Sequence, residues 1–228
     1  MVDYIADHSA AREFAELATE LHDTNTVEET VEAVVQFALR AVNVEHAGVV
    51  LATRDTIEIS AVSDPLLDDI YRAKIAHGEG PLLDALRSQT IVQITDVATE
   101  PDKPWRAMLL EHGIRSILHL PLGASERTIG VLSLYCETPN AFSEDEIAVG
   151  DILARHASLA VASARHEETL AKAIDARKAV GMAMGMLMLK YDLDEPRAFA
   201  VLQRYSQDHN RKLRVVAQEV IDTRKLPT

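Results

Sequence analysis

The sequence predicts an α+β protein in two parts. A segment mixing strands and helices is followed by a long helix that leads into a small three-helix bundle. Three observations carry this. Short β-like runs recur between Ala47 and Tyr135, interleaved with turn and helix signals. No proline occurs between Ser143 and Pro196, which leaves room for one helix from Glu144 to about Lys190, roughly 70 Å at about 1.5 Å per residue. Finally, the charge changes sign. Leu170–Thr228 holds 11 Lys and Arg against 7 Asp and Glu, net +4, so residues 1–169 carry −17 of the chain total of −13. A cationic end on an acidic body points to an output that meets an anion.

A length of 228 residues and a hydrophobic share of 47 % fit one or two globular domains with a buried core. No uninterrupted run of about 18 apolar residues marks a membrane span. The start, Met1 to His8, has neither a basic cluster nor a long apolar stretch. A cytoplasmic protein without a membrane partner is therefore expected. The single cysteine, Cys136, excludes an internal disulfide and any multi-cysteine metal site.

The elements follow in order. Ala10, Phe14, Leu17 and Leu21 form a helical stripe over Ser9–His22. Thr26 with Glu29 has capping-box spacing and starts a helix that buries Val27, Val31, Val34, Val35 and Leu39 and ends near Val44. From Ala47 a β-like run leads to a hairpin turn at Arg54-Asp55, and Thr56–Val62 alternates. Ser63-Asp64-Pro65 opens a short helix through Ile70. Gly78–Pro81 is a turn before a helical Leu82–Leu86. Ile91–Ile94 reads as a strand, Asp96–Pro104 as a loop, and Trp105–His112 as a helix. Ile114–Leu122 and Thr128–Tyr135 are two more strands, and Gly130 inside the second marks a bulge or a close backbone approach.

Ser143 with Glu146 is a second capping box, at the head of the long helix. Along that helix Leu159, His166, Ala173, Val180 and Leu187 recur every seven residues, with Leu170, Arg177 and Met184 in a second row. The pattern predicts a coiled-coil-like seam and a homodimer. Asp194 caps the next helix with Pro196 in its first turn, and Ala198, Phe199, Leu202 and Tyr205 form its apolar face. Asn210 is expected to cap a last helix with Leu213, Val216, Ala217, Val220 and Ile221 inward.

Catalysis finds little support. There is no Gly-x-x-x-x-Gly-Lys loop and no His-Glu-x-x-His pair, and the nine histidines lack metal-ligand spacing. No cofactor is expected. His119 reads as a satisfied core histidine, and Cys136 as a small buried hydrophobe. The C-terminal cations are more informative. Arg177, Lys178, Lys190, Arg204, Arg211, Lys212 and Arg214 are either solvated helix faces or a surface for phosphates and base edges. Ser206 and Asn210 are candidates for neutral hydrogen bonds, and the small Ala183 and Gly185 permit close approach of a partner or of another helix.

The run Arg177-x-x-Val180-Gly181-x-Ala183-x-Gly185-x-Leu187-Met188, followed by Ala198-Phe199, Leu202, Ser206, Asn210, Lys212-Leu213 and Val216-Ala217, resembles the ANTAR family. That resemblance implies a three-helix RNA-binding output module of bacterial antitermination regulators, which binds paired stem-loops in a nascent transcript as a dimer. It implies RNA-facing roles for Arg177, Ala183, Gly185, Arg204, Ser206, Asn210 and Lys212. Where the family commonly has lysine, this chain has Met184, and a missing cation there implies either weaker phosphate contact or a shift of that contact to Lys178 or Lys190. The preceding segment resembles a GAF domain through Gly78–Pro81, Ala85-Leu86, Asp96, Ser116–Leu122, Gly130–Tyr135 and Pro139-x-Ala141-Phe142. This implies an antiparallel sheet with flanking helices and a small-molecule pocket on one face, its ligand unknown.

The expected layout is a GAF-like sensor over residues 1–166 and an ANTAR-like domain over 167–228. The expected function is signal-responsive RNA binding that controls antitermination. The alternative is a ligand-sensing dimeric scaffold, or a protein-interaction module, with no RNA output.

Overall fold

The structure is a computed structural model and describes residues 19–21, 24, 26–53, 56–124 and 127–225. It divides into two compact units, meeting at Arg165 and His166.

In the first unit, helix α1 (Val27–Ala41) begins where the Thr26 hydroxyl accepts from the Glu29 amide at 3.1 Å. This is the expected cap, and it satisfies one of the amides a helix start leaves without a partner. Strand β1 (His46–Ala52) pairs antiparallel with β2 (Ile57–Val62), with a register shift between Val49 and Val50. The expected turn at Arg54-Asp55 and most of the stripe at Ser9–His22 lie outside the described residues, although residues 19–21 are helical.

Helix α2 (Pro65–His77) starts on the Asp64 carboxylate, which accepts from the Leu66 amide at 2.8 Å. It runs a full seven residues beyond the expected end at Ile70. Nothing before Gly78 breaks it, and Gly78 stops it by adopting φ +72°, where a side chain is strained. Helix α3 (Pro81–Ser88), strand β3 (Val92–Ile94), a single 3-10 turn (Val97–Thr99) and helix α4 (Pro104–Glu111) follow. The long strands β4 (Ser116–Ala124) and β5 (Arg127–Cys136) complete the unit's sheet.

The sheet has order β2-β1-β5-β4-β3, and every neighbouring pair is antiparallel. Alternation along β5 assigns its two faces. Leu132, Leu134 and Cys136 join α1 and the first turns of the long helix α5 (Glu144–Tyr191) in one core. Val131 and Tyr135 join α2, α3 and α4 in a second core on the other face. Gly130 makes the expected close approach, since a Cβ there points into the Val50 carbonyl oxygen and lies 2.8 Å from Leu51 Cδ2.

The Ser143–Glu146 capping box opens α5, with the Ser143 amide donating to Glu146 Oε2 at 2.7 Å. By length and composition alone α5 is apolar enough to cross a membrane. The burial of Leu153, Ala154, Ala157 and Val161 against the sheet accounts for part of that apolarity.

In the second unit, α6 (Glu195–Asp208) and α7 (Leu213–Thr223) pack with the end of α5 around Ala183, Leu187, Ala198, Leu202, Val216, Ala217 and Val220. Asp194 caps α6 as expected, accepting from the Arg197 amide at 2.9 Å. Asn210 does not cap α7. It sits just beyond the end of α6 at φ +48°, the left-handed conformation that asparagine tolerates, and Lys212 precedes α7 without a side-chain cap. The two heptad rows of α5 divide. Leu187 is buried in the bundle with Val180 and Met184 packed against it, whereas Leu159 and Leu170 are 69 % and 49 % exposed, as is Ile174, outside both rows, at 64 %.

The two kinds of glycine should respond oppositely to alanine. Gly130→Ala overpacks the sheet and is expected to lower unfolding free energy by about 1–3 kcal/mol. At Gly181, inside α5, an added Cβ meets nothing within 4 Å, so Gly181→Ala should raise it by about 0.5–1 kcal/mol through helix propensity. Urea denaturation of both variants measures the contrast.

Candidate functional site

Two regions gather chemistry, one in each unit. In the C-terminal bundle a groove of about 650 Å³ opens between α5, α6 and α7, lined by Arg177, Val180, Gly181, Phe199, Leu213 and Arg214 among others. Arg177 and Arg214 arrive from different helices at one apolar channel. Phe199 was expected on the buried face, yet it is 39 % exposed. It lies one residue off the Ala198–Leu202 row that the core takes, so it turns outward.

The other candidates scatter. Arg211 and Arg214 line a second groove with Lys172, where Asp175, Glu219 and Asp222 offset the charge, and Arg211 is held by Glu219 at 2.6 Å. Lys190 donates to the Arg224 carbonyl at 2.7 Å, and Arg204 lies 3.5 Å from Asp208. Lys178, Gly185, Asn210 and Lys212 are exposed, and a Cβ at Gly185 meets nothing within 4 Å.

One expected contact residue is corrected, and a second is engaged in the fold. Ala183 is fully buried, four residues from Leu187 on the inward face of α5, so it packs helices together and cannot face a ligand. The Ser206 hydroxyl donates to the Arg211 carbonyl at 2.5 Å, and the Arg211 amide donates back to the Ser206 carbonyl at 2.9 Å. Ser206 thus closes the α6–α7 turn and has no free donor to offer.

The second region is a row across the middle of the sheet that the sequence did not announce. Gly48 pairs with Ser133, and Ser133 pairs with His119, so all three share the face covered by α2, α3 and α4. The missing side chain at Gly48 admits Tyr71. A Cβ there lies 2.7 Å from Tyr71 Oη. Lys74, one helical turn after Tyr71, enters the same space. Its Nζ is 3.4 Å from Tyr135 Oη and 5.0 Å from the Tyr135 ring centre. Tyr71, Lys74, His119, Ser133 and Tyr135 are all buried.

Hydrogen bonding in the row is incomplete. His119 Nδ1 bonds to the Ser133 hydroxyl at 2.8 Å, but His119 Nε2 and Tyr71 Oη have no partner in hydrogen-bond geometry. His119 is therefore only half satisfied. Such orphaned buried groups are uncommon and call for an explanation. Among the described residues the buried polar and charged side chains include no carboxylate, and no ion pair includes Lys74. Burial alone pushes the Lys74 amine down to about 7. Burial, with Lys74 beside it, holds the His119 imidazole well below its ordinary range. Burial lifts the Tyr71 hydroxyl to about 12.

Cys136 faces the opposite core. Burial, then the Glu45 carboxylate, pushes its thiol up to about 12. It is protonated and unreactive at neutral pH. Among the described residues no group of three His, Cys, Asp or Glu could hold a metal.

The family model described as GAF domain matches residues 24–162, and the one described as ANTAR domain matches residues 168–221. Both are regulatory and binding modules rather than catalytic ones. No curated protein matches the sequence. Among solved structures, the GAF domain of a phosphoenolpyruvate-protein phosphotransferase from Coxiella burnetii is similar at TM-score 0.56 and 16 % identity, covering 70 % of this chain and 96 % of that one. A free methionine-R-sulfoxide reductase from Neisseria meningitidis, solved with its substrate, aligns at TM-score 0.55 and 18 % identity over 69 % and 93 % of the two chains. The GAF domain of a phosphoenolpyruvate-protein phosphotransferase from Acinetobacter gives 0.53 and 16 % over 68 % and 94 %. At these identities the likeness is one of fold.

The buried amine makes stability depend on pH with a definite sign. The folded Lys74 pKa lies below its unfolded value of 10.5, so above about 7 the unfolded chain holds a proton that the folded chain has released, and stability rises with pH. Tyr71, raised from 10.0, and Cys136, raised from 9.0, oppose this only at higher pH. Between about pH 7 and about pH 8.5, in buffer free of small oxyanions, the slope should approach roughly 1.4 kcal/mol per unit. In Lys74→Met it should vanish, and the variant should be the more stable at neutral pH. Urea titrations across that range measure both.

Proposed function

The chain belongs to the GAF domain family and continues into an ANTAR domain, and from this we propose that it is a signal-responsive regulator of transcription antitermination. The GAF unit senses a small molecule or a partner. The ANTAR unit binds stem-loops of a nascent transcript and prevents a terminator hairpin from forming. The protein acts as a cytoplasmic homodimer.

The observation that carries the RNA reading is the convergence of Arg177 and Arg214 on one open groove beside an exposed Phe199. Arginine forks bind phosphate in two-point fashion, and an exposed aromatic ring offers a stacking surface to an unpaired loop base. The reversed charge of this end of the chain favours encounter with a polyanion and disfavours the acidic body as the contact. Lys178, Lys190, Arg204, Asn210 and Lys212, all exposed, supply further contacts around the bundle, and Gly185 leaves one face of α5 open. Arg211 serves the fold as well, through Glu219.

The dimer is supported by the apolar side chains that α5 leaves uncovered, Leu159, Leu170 and Ile174. Their spacing places all three on one side of α5, an apolar stripe rather than a solvated face, and a second copy of the same helix covers them.

Mobility-shift titrations of the full chain with tandem hexaloop hairpins test the reading. Binding should weaken steeply with salt. Arg177→Ala and Arg214→Ala should each weaken it several-fold and lower the salt slope by about 0.7–1. Absence of salt-sensitive binding under any condition favours the scaffold alternative.

A further inference from the structure

We propose that the row formed by Tyr71, Lys74, His119, Ser133 and Tyr135 is the sensor's ligand site and that its ligand is a small oxyanion of carboxylate size. The inference rests on the sensor reading of the first unit and names the ligand class.

The argument is one of unmatched donors. Lys74 Nζ carries up to three N–H donors, with one contact, to Tyr135 Oη at 3.4 Å. Tyr71 Oη makes no bond of full hydrogen-bond geometry, although the Ser133 and Tyr135 hydroxyls lie close enough to interact with it. When the Ser133 hydroxyl donates to His119 Nδ1, the Nε2 of that ring carries the proton, and this nitrogen has no partner. Lys74, Tyr71 and His119, from α2 and β4, thus surround the Tyr135 ring, with Lys74 Nζ 5.0 Å from its centre and the Tyr71 and His119 rings centred 6.2 and 5.8 Å from it, and the buried side chains among the described residues include no carboxylate. The groups facing Lys74 are Tyr71 on its own helix, His119 on β4, and Ser133 and Tyr135 on β5, and none is acidic. A neutral or cationic ligand adds no charge that answers the lysine. An oxyanion takes a hydrogen bond on each oxygen and supplies the missing counter-charge.

The anion binds the ammonium form of Lys74, so binding takes up a proton wherever the free amine is neutral. Tyr71 and Lys74 both belong to α2, and occupation of the site therefore acts on that helix first. No covalent step is involved.

Isothermal titration of the full chain with sodium formate, acetate, bicarbonate and nitrate tests this, with ionic strength held by the bulky anion gluconate. Runs in buffers of contrasting ionisation enthalpy count protons. The expected result is saturable binding of one anion per chain, with an uptake of about 0.9 proton at about pH 8 and about 0.1 at about pH 6. Affinity should fall about tenfold per unit above pH 7. Lys74→Met should abolish binding. Tyr71→Phe, which keeps the ring and removes only the hydroxyl, should weaken it at least about tenfold. The formate and acetate arms against the bicarbonate and nitrate arms separate an organic from an inorganic oxyanion. No saturable binding by any of the four overturns the proposal, as does binding undiminished in both variants or binding without proton uptake at the higher pH. Hairpin binding is measured on the same samples. A chain that binds anion but no RNA retains this site and loses the output reading.

Discussion

Strand β5 has no solvent face, and most of the first unit follows from that. Its residues Val131 to Cys136 are all buried, so both faces of the sheet need covering. Apolar side chains meet the demand at every position except Ser133 and Tyr135, whose hydroxyl meets Lys74. A hydroxyl buried there needs a partner, and the register supplies His119 directly opposite. On the other side the register supplies Gly48, whose missing side chain lets Tyr71 reach the sheet. The polar row is therefore a consequence of antiparallel pairing around one serine, completed by a helix long enough to bring a lysine over it.

Where the chain's signals were local, the sequence was readable. The caps at Thr26, Ser143 and Asp194 sit where their spacing put them, because each depends only on residues three apart. The close approach at Gly130 was readable for the same kind of reason. What escaped depended on pairing between distant segments. His119 looked like a satisfied core residue, and one of its nitrogens is, but the state of the other depends on α2, some forty residues earlier in the chain. Lys74 did leave a trace, since it falls one turn after Ile70 and Tyr71 on an apolar stripe. A helix read only as far as Ile70 stops short of this trace. Ala183 and Gly185 posed the opposite problem. Both are small and two residues apart, and only packing tells the buried one from the open one.

The C-terminal unit shows how little apolar material a bundle of this size holds. Seven buried residues form its centre, four of them alanine or valine from α6 and α7. Small cores bury too small a share of their surface to be strongly stable alone. The uncovered Leu159, Leu170 and Ile174 on α5 represent unused hydrophobic driving force in the same chain. The proposed dimer would answer both problems at once. It would also bring two cationic grooves into one particle, so that two hairpins on one transcript would engage at a high effective concentration.

An effector shifts a conformational equilibrium only by the difference in its affinity for the two states. Swinging a population from about one to about ninety-nine per cent takes roughly 5.5 kcal/mol. The buried lysine indicates whether the first unit has that much to give. A fall from 10.5 to about 7 corresponds to a penalty on the charged form on the order of 5 kcal/mol. An anion that restores the charge in place relieves that penalty at the cost of its own desolvation, so the net effect is smaller. Holding Lys74 without a counter-ion still gives the first unit a charge-dependent contribution to its stability, whereas an all-apolar core on this face of the sheet would leave an incoming anion nothing to relieve.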